Sequence, residues 1–144
     1  MTPSDVRTTG VDVLVPGQCC GKPMQIEPLS FWGGFDSSDG RVIDRFHPAH
    51  TISLTGHILF MAHARGSSSG ASVLAEAIRL RTAPAAFCLL QRDAIIAIGA
   101  MVAQRLYALP CPVLVFRDAD RWSDLATQNR LRIDATPDGV DIEA

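Results

Sequence analysis

The chain has 144 residues, 47% of them hydrophobic, enough for one domain with a true core and too apolar for a disordered chain. Thirteen Lys and Arg against 15 Asp and Glu leave a formal charge of -2 with no basic run, so neither nucleic acid nor an anionic membrane is an expected partner. The longest apolar run, 94–103, falls short of the roughly 20 residues of a membrane helix, and Met1-Thr2-Pro3-Ser4-Asp5 is not built like a secretory signal, so a soluble, cytoplasmic protein is expected.

Val11-Asp12-Val13-Leu14-Val15 predicts a strand ending in a Pro16-Gly17 turn. Residues 24–29 read as extended. In Ser30-Phe31-Trp32-Gly33-Gly34-Phe35-Asp36, two glycines permit unusual backbone angles beside bulky rings, which are themselves read as core anchors. Ser37-Ser38-Asp39-Gly40 is a turn, 41–44 a short strand, and, after a loop around His47-Pro48, 57–62 is an apolar run suited to a buried strand.

From Ala71 the pattern becomes helical, with Val73, Leu74, Ala77 and Ile78 on one face and Glu76 and Arg79 off it, and Pro84 bars continuation. Residues 85–90 and 94–98 read as further buried strands, 99–109 as a helix closed by Pro110, and 113–116 as a strand. Residues 131–134 and 140–143 alternate on either side of Thr136-Pro137-Asp138-Gly139, which predicts a hairpin. No repeat, heptad or low-complexity segment interrupts the chain, so one mixed α/β domain over 1–144 is expected.

Cys19 and Cys20 are adjacent, and Cys88 and Cys111 lie in apolar stretches, which reads as four reduced thiols. Neither a Cys-x-x-Cys nor a His-Glu-x-x-His arrangement occurs, and His47, His50, His57 and His63 match no ligand spacing, so no metal is expected within this chain.

The stretch with most chemical content is Arg65-Gly66-Ser67-Ser68-Ser69-Gly70, where a buried strand hands over to a helix. Hydroxyls and N–H groups there meet the positive end of the helix, which favours an anion. Arg65 adds a fork-shaped cation suited to carboxylate or phosphate. The Gly-Lys-Ser/Thr ending of a P-loop is missing, and the chain lacks other signs of the sheet on which a Gly-x-Ser-x-Gly nucleophile works. On the residues alone, an ordinary helix cap remains an alternative.

Two stretches together go further. Pro28-Leu29-Ser30-Phe31-Trp32-Gly33-Gly34-Phe35-Asp36 followed by Gly40-Arg41-Val42-Ile43-Asp44-Arg45-Phe46-His47-Pro48, and Arg65-Gly66-Ser67-Ser68-Ser69-Gly70 followed by Val73-Leu74-Ala75-Glu76 and Ala83-Pro84-Ala85-Ala86, closely resemble the two signatures of the aconitase X small subunit in order and spacing. The resemblance runs from about Gly10 to Phe116. It implies a swivelling β/β/α domain, a barrel-like mixed sheet with flanking helices related to the mobile fourth domain of aconitases. It further implies a large-subunit partner whose cysteines hold an iron centre.

The family dehydrates small hydroxy acids, cis-3-hydroxy-L-proline in bacteria and mevalonate 5-phosphate in archaea. Carried over by position, the catalytic serine falls on Ser67, which takes a proton while iron, as a Lewis acid, takes the hydroxyl. The same reading implies that Arg65, Gly66, Ser68, Ser69 and Gly70 bind or orient the substrate, and that Ser30, Phe31, Trp32, Gly33, Gly34 and His47 belong to a further candidate site or subunit-interface loop. Arginine greatly outnumbers the single Lys22, as in bacterial chains of high genomic GC content, which favours cis-3-hydroxy-L-proline. The alternatives are mevalonate 5-phosphate or a non-catalytic anion-binding module.

Overall fold

Three short apolar runs, Ile58–Phe60, Ala86–Leu89 and Val113–Phe116, are buried at every position. Strands of that kind need cover on both faces, and they pair here in parallel. The computed structural model describes residues 8–144, so the reading of Met1 to Asp5 lies outside the described residues. In chain order the elements are β1 (Val11–Val15), β2 (Gly17–Gly21), β3 (Pro23–Gln25), the irregular one-turn α1 (Phe31–Gly34), β4 (Phe35–Asp36), β5 (Arg41–Val42), β6 (Ile58–Phe60), α2 (Gly70–Arg79), β7 (Ala86–Leu89), α3 (Ala94–Tyr107), β8 (Val113–Phe116), α4 (Ala119–Ala126), β9 (Leu131–Thr136) and β10 (Gly139–Glu143).

A five-stranded sheet has the order β1-β8-β7-β6-β3, parallel except for β1, and a three-stranded antiparallel sheet has the order β10-β9-β2. Because side chains alternate along a strand, Leu59, Phe87, Leu89, Val113 and Val115 meet Leu74, Ala77, Ile96 and Ala100 of the helices α2 and α3. Ile58, Phe60, Ala86, Cys88, Leu114 and Phe116 meet Leu131, Ile133, Ala135 and Val140 of the second sheet, with Trp122 of α4. The layers are therefore sheet, sheet and helices, the mixed α/β architecture expected. Trp122 closes the second core by donating from Nε1 to the Cys88 carbonyl at 2.8 Å.

Residues 94–98 are the one element of the wrong kind in the sequence reading: they form the first turns of α3. Three isoleucines in an apolar run suggested a strand, but the buried positions Ile96, Gly99, Ala100 and Ala103 follow helical spacing. Asp93 settles the matter by accepting the Ile95 and Ile96 N–H groups as a side-chain cap. Instead of ending at the Pro16-Gly17 turn, the chain continues straight into β2, which pairs with β9. Several strands are shorter than their apolar runs: β3 stops at Gln25, although Ile26 N–H still donates to the Phe60 carbonyl at 3.0 Å. The hairpin of β9 and β10 forms with Thr136 opposite Gly139.

Cys88 and Cys111 are enclosed, and burial pushes both thiols well up from the ordinary thiol value; Cys19, partly buried, is pushed up to about 12 for the same reason. Only Cys20 is exposed. An alkylating reagent near pH 8 is expected to modify Cys20 alone in the native chain, and the others only on unfolding, as peptide mapping by mass spectrometry will read. The folded thiols keep their protons to higher pH than unfolded ones, so stability is expected to fall as pH rises above roughly 8.5.

Candidate functional site

In a mostly parallel sheet, ligand sites form beyond the carboxyl ends of the strands. β6 ends there, and the chain crosses 61–69 before entering α2. The crossing is held at several points. Asp93 Oδ2 accepts the Ala64 N–H at 2.8 Å while Oδ1 caps α3, so one half-buried carboxylate ties the loop to the neighbouring helix start. On the other side, the Arg65 N–H donates to the Leu29 carbonyl at 3.1 Å.

Gly66 has φ +91°, and a Cβ on it would collide with Ser30 Oγ. At Gly70 a Cβ would lie 3.3 Å from Ile95 Cγ2, 3.4 Å from Phe31 Cβ and 3.4 Å from the Trp32 nitrogen. The space left by both glycines is thus filled by the protein itself, and the two signature stretches read from the sequence meet here. Ser30 Oγ donates to the Trp32 carbonyl at 2.9 Å, shaping the turn in which Gly33 takes φ +83°.

Ser67, Ser68 and Ser69 are all exposed. Ser67 Oγ accepts the Ser69 N–H at 3.1 Å, and the Gly70, Ala71 and Ser72 N–H groups turn back onto the carbonyls of Ser67, Ser68 and Ser69. Ser69 is the residue at the cap position of α2, yet its hydroxyl makes no capping bond. The Gly66, Ser67 and Ser68 N–H groups bond to no other described residue and are open donors. The Arg65 side chain is 60% exposed and its Nη2 lies 3.6 Å from Asp44 Oδ2.

Phe31 and Phe35 are core residues, with ring centroids 5.0 Å apart and Phe31 5.8 Å from Phe87. Trp32 is not a core anchor: it is 57% exposed. Gly34 is buried, and its carbonyl accepts the Ile43 N–H at 2.9 Å. His47 is buried, its Nδ1 accepting the Ala49 N–H at 2.9 Å, which leaves Nε2–H to donate to the Glu27 carbonyl at 2.8 Å. With both ring nitrogens spent on backbone, His47 braces its loop. Among the described residues no group of three or more His, Cys, Asp or Glu is placed to hold a metal ion. No helix among them is long and apolar enough to cross a membrane.

Two residues of this neighbourhood, Asp93 and Asp44, were not among the site residues expected from the sequence, although Asp44 lies within the first signature stretch. Asp93 stands directly before the apolar run of α3, a cap signal that was obscured by taking that run as a strand. Asp44 bonds locally to the Phe46 N–H, but its link to Arg65 joins separate loops and carries no signal in sequence.

The model of the aconitase X swivel domain matches residues 8–142. The chain belongs to this family. The match reaches well past Phe116, across β9 and all but the last residue of β10. A cis-3-hydroxy-L-proline dehydratase of Pseudomonas aeruginosa is 40% identical over 114 residues, 78% of this chain and 19% of that one. A phosphomevalonate dehydratase small subunit of Methanothermobacter thermautotrophicus is 46% identical over 77 residues, 54% of this chain and 59% of that one. The aligned stretch therefore spans less than two thirds of either relative. The swivel fold is shared with a crystal structure of Thermococcus kodakaraensis aconitase X in its holo-form, with a TM-score of 0.72 at 24% identity over 92% of this chain and 95% of that one.

The packing of Gly66 on Ser30 sets the position of the serine loop. Gly66→Ala is expected to lower the unfolding free energy by about 1–3 kcal/mol, from a strained positive φ together with the collision. Thermal unfolding of the purified variant measures this.

Proposed function

We propose that this chain is the small subunit of an aconitase X type hydro-lyase, acting on a small hydroxy acid together with a large subunit. The observation that carries this reading is the convergence of both signature stretches at the turn from Gly66 to Gly70, where Ser30 packs on Gly66, Phe31 and Trp32 pack on Gly70, and Ser67 between them is exposed ahead of α2. The names of the relatives, one a dehydratase and one a dehydratase small subunit, support the reaction class and the need for a partner.

On this reading Ser67 Oγ takes the proton from the carbon that becomes unsaturated. The C–H bond breaks, its electron pair forms the double bond, and the hydroxyl on the adjacent carbon leaves as hydroxide, which with the proton taken by Ser67 accounts for the water released. A serine hydroxyl is a weak base, so its alkoxide needs support. The Ser69 N–H already donates to this oxygen at 3.1 Å, and the Arg65 charge and the α2 terminus add to it. The open Gly66 and Ser68 N–H groups, the Ser68 and Ser69 hydroxyls and Arg65 bind the substrate's anionic group, while Gly70 lets the turn pack against Phe31 and Ile95. On this reading the iron centre would belong to the large subunit and would supply Lewis-acid chemistry there, and no cluster among the described residues of this chain would hold it.

Cis-3-hydroxy-L-proline is the preferred substrate, supported by the relative that aligns with 78% of this chain. Mevalonate 5-phosphate is the second, favoured by the 46% identity to a small subunit encoded as a separate chain. Offering both to the co-expressed pair decides between them.

Ser67→Ala removes one exposed hydrogen bond, so folding and assembly are expected to change by no more than about 1 kcal/mol. Turnover of the reconstituted pair is expected to fall about a hundredfold to ten-thousandfold, with a far smaller loss of substrate affinity. Turnover close to wild type removes Ser67 as the base, and a loss traced wholly to failed assembly returns the loop to a structural role.

A further inference from the structure

Phe46 is 96% exposed, the most open large apolar side chain among the described residues. Single exposed apolar side chains are ordinary, but this one stands on a braced loop. Its N–H donates to Asp44 Oδ1 at 3.0 Å, and the His47 N–H donates to the Asp44 carbonyl at 3.2 Å. The buried His47 ring then ties the loop to the Glu27 carbonyl and the Ala49 N–H. Such a loop presents the phenyl ring at low entropic cost on association.

The placement of the loop matters as much as its rigidity. The Asp44 carboxylate that accepts Phe46 N–H with one oxygen pairs with Arg65 through the other. Phe46 is therefore one carboxylate removed from the serine site. Ile43, 46% exposed, is fastened to Gly34, two residues from the exposed Trp32. Exposed apolar side chains thus stand on the segments that the Asp44–Arg65 pair and the packing of Trp32 on Gly70 join to the two ends of the serine turn.

We propose that Phe46 is the principal apolar anchor with which this chain docks onto the large subunit, seated at the mouth of the Ser67 site. The inference rests on the heteromeric reading above. Two observations commit this face to that occupant. Ser67 and its neighbours lie open to solvent with no metal-binding cluster among the described residues, so on that reading the remaining reactive groups approach from outside at this face. In the Pseudomonas aeruginosa relative the matching stretch is 19% of one longer chain, so there a domain of this kind is joined to a larger remainder. The competing apolar surface, Met101, Val102 and Leu106 on the outer side of α3, has no such connection. Leu106 lies 13 residues from Asp93, about 20 Å along the helix from the site end.

The test is the dissociation constant of this full chain from the aconitase X large chain of the same genome, measured by calorimetry. Phe46→Ala is expected to raise it about 30-fold or more, as for a truncated aromatic hot spot. Phe46→Leu is expected to recover most of the loss, and Leu106→Ala to leave the constant unchanged, while all three isolated variants unfold at the wild-type temperature. A Phe46→Ala pair within about threefold of wild type overturns the anchor and leaves the heteromeric reading intact, as does an equal loss from Leu106→Ala. Wild-type chains that do not associate at all overturn the heteromeric reading itself.

Discussion

The candidate site depends first on the Asp93 carboxylate. One oxygen caps α3 through the Ile95 and Ile96 N–H groups, and the other holds the Ala64 N–H, one residue before Arg65. A helix start and the approach to the serine loop are therefore fixed by the same half-buried group. Removing it leaves three backbone donors to find other partners, which disfavours the observed path of the loop. From the opposite side, Ser30 occupies the space left by Gly66, so the serine turn is clamped between α3 and the segment leading from β3.

This clamping gives Ser67 its setting. The N–H groups of Gly70, Ala71 and Ser72 are engaged within the turn, and the Ser69 N–H is spent on Ser67 Oγ itself. The support for negative charge is thus more local than a bare helix terminus suggests, with one donor on Ser67 Oγ and the Gly66, Ser67 and Ser68 N–H groups bonded to no other described residue. The long side chain of Arg65 is held loosely by Asp44, at 3.6 Å and largely in solvent, a contact of little energetic weight by itself. It leaves the guanidinium free to meet an anionic group.

Much of this was legible in the sequence for identifiable reasons. The fully buried runs of β6, β7 and β8 and the Thr136-Pro137-Asp138-Gly139 hairpin follow from hydrophobic pattern and turn chemistry, and these place the layers. The Ser/Gly turn between strand and helix is visible locally, whereas Ser67 stands out among its three serines only through the resemblance to the aconitase X signature. α3 was misread over 94–98 because β-branched residues mask helical spacing when packing decides the outcome. β2 and α4 were not anticipated: Gly17-Gln18-Cys19-Cys20-Gly21 has little strand character and depends on pairing with β9. The Gly66–Ser30 approach and the Asp44 link join residues far apart in the chain, which no local pattern encodes. His47 illustrates the same limit, since only the fold shows that both of its ring nitrogens serve the backbone.

The central claim is that Ser67 performs the proton transfer within a site that this domain shapes and a partner completes. A single-turnover experiment addresses it directly. The large chain is saturated with the Ser67→Ala variant, substrate is bound, and formation of the carbon–carbon double bond is followed by rapid quench in one catalytic cycle, so that assembly and binding are already complete. The account predicts a rate at least about a hundredfold below that of the wild-type pair with full occupancy of substrate. A single-turnover rate within a few-fold of wild type would contradict it.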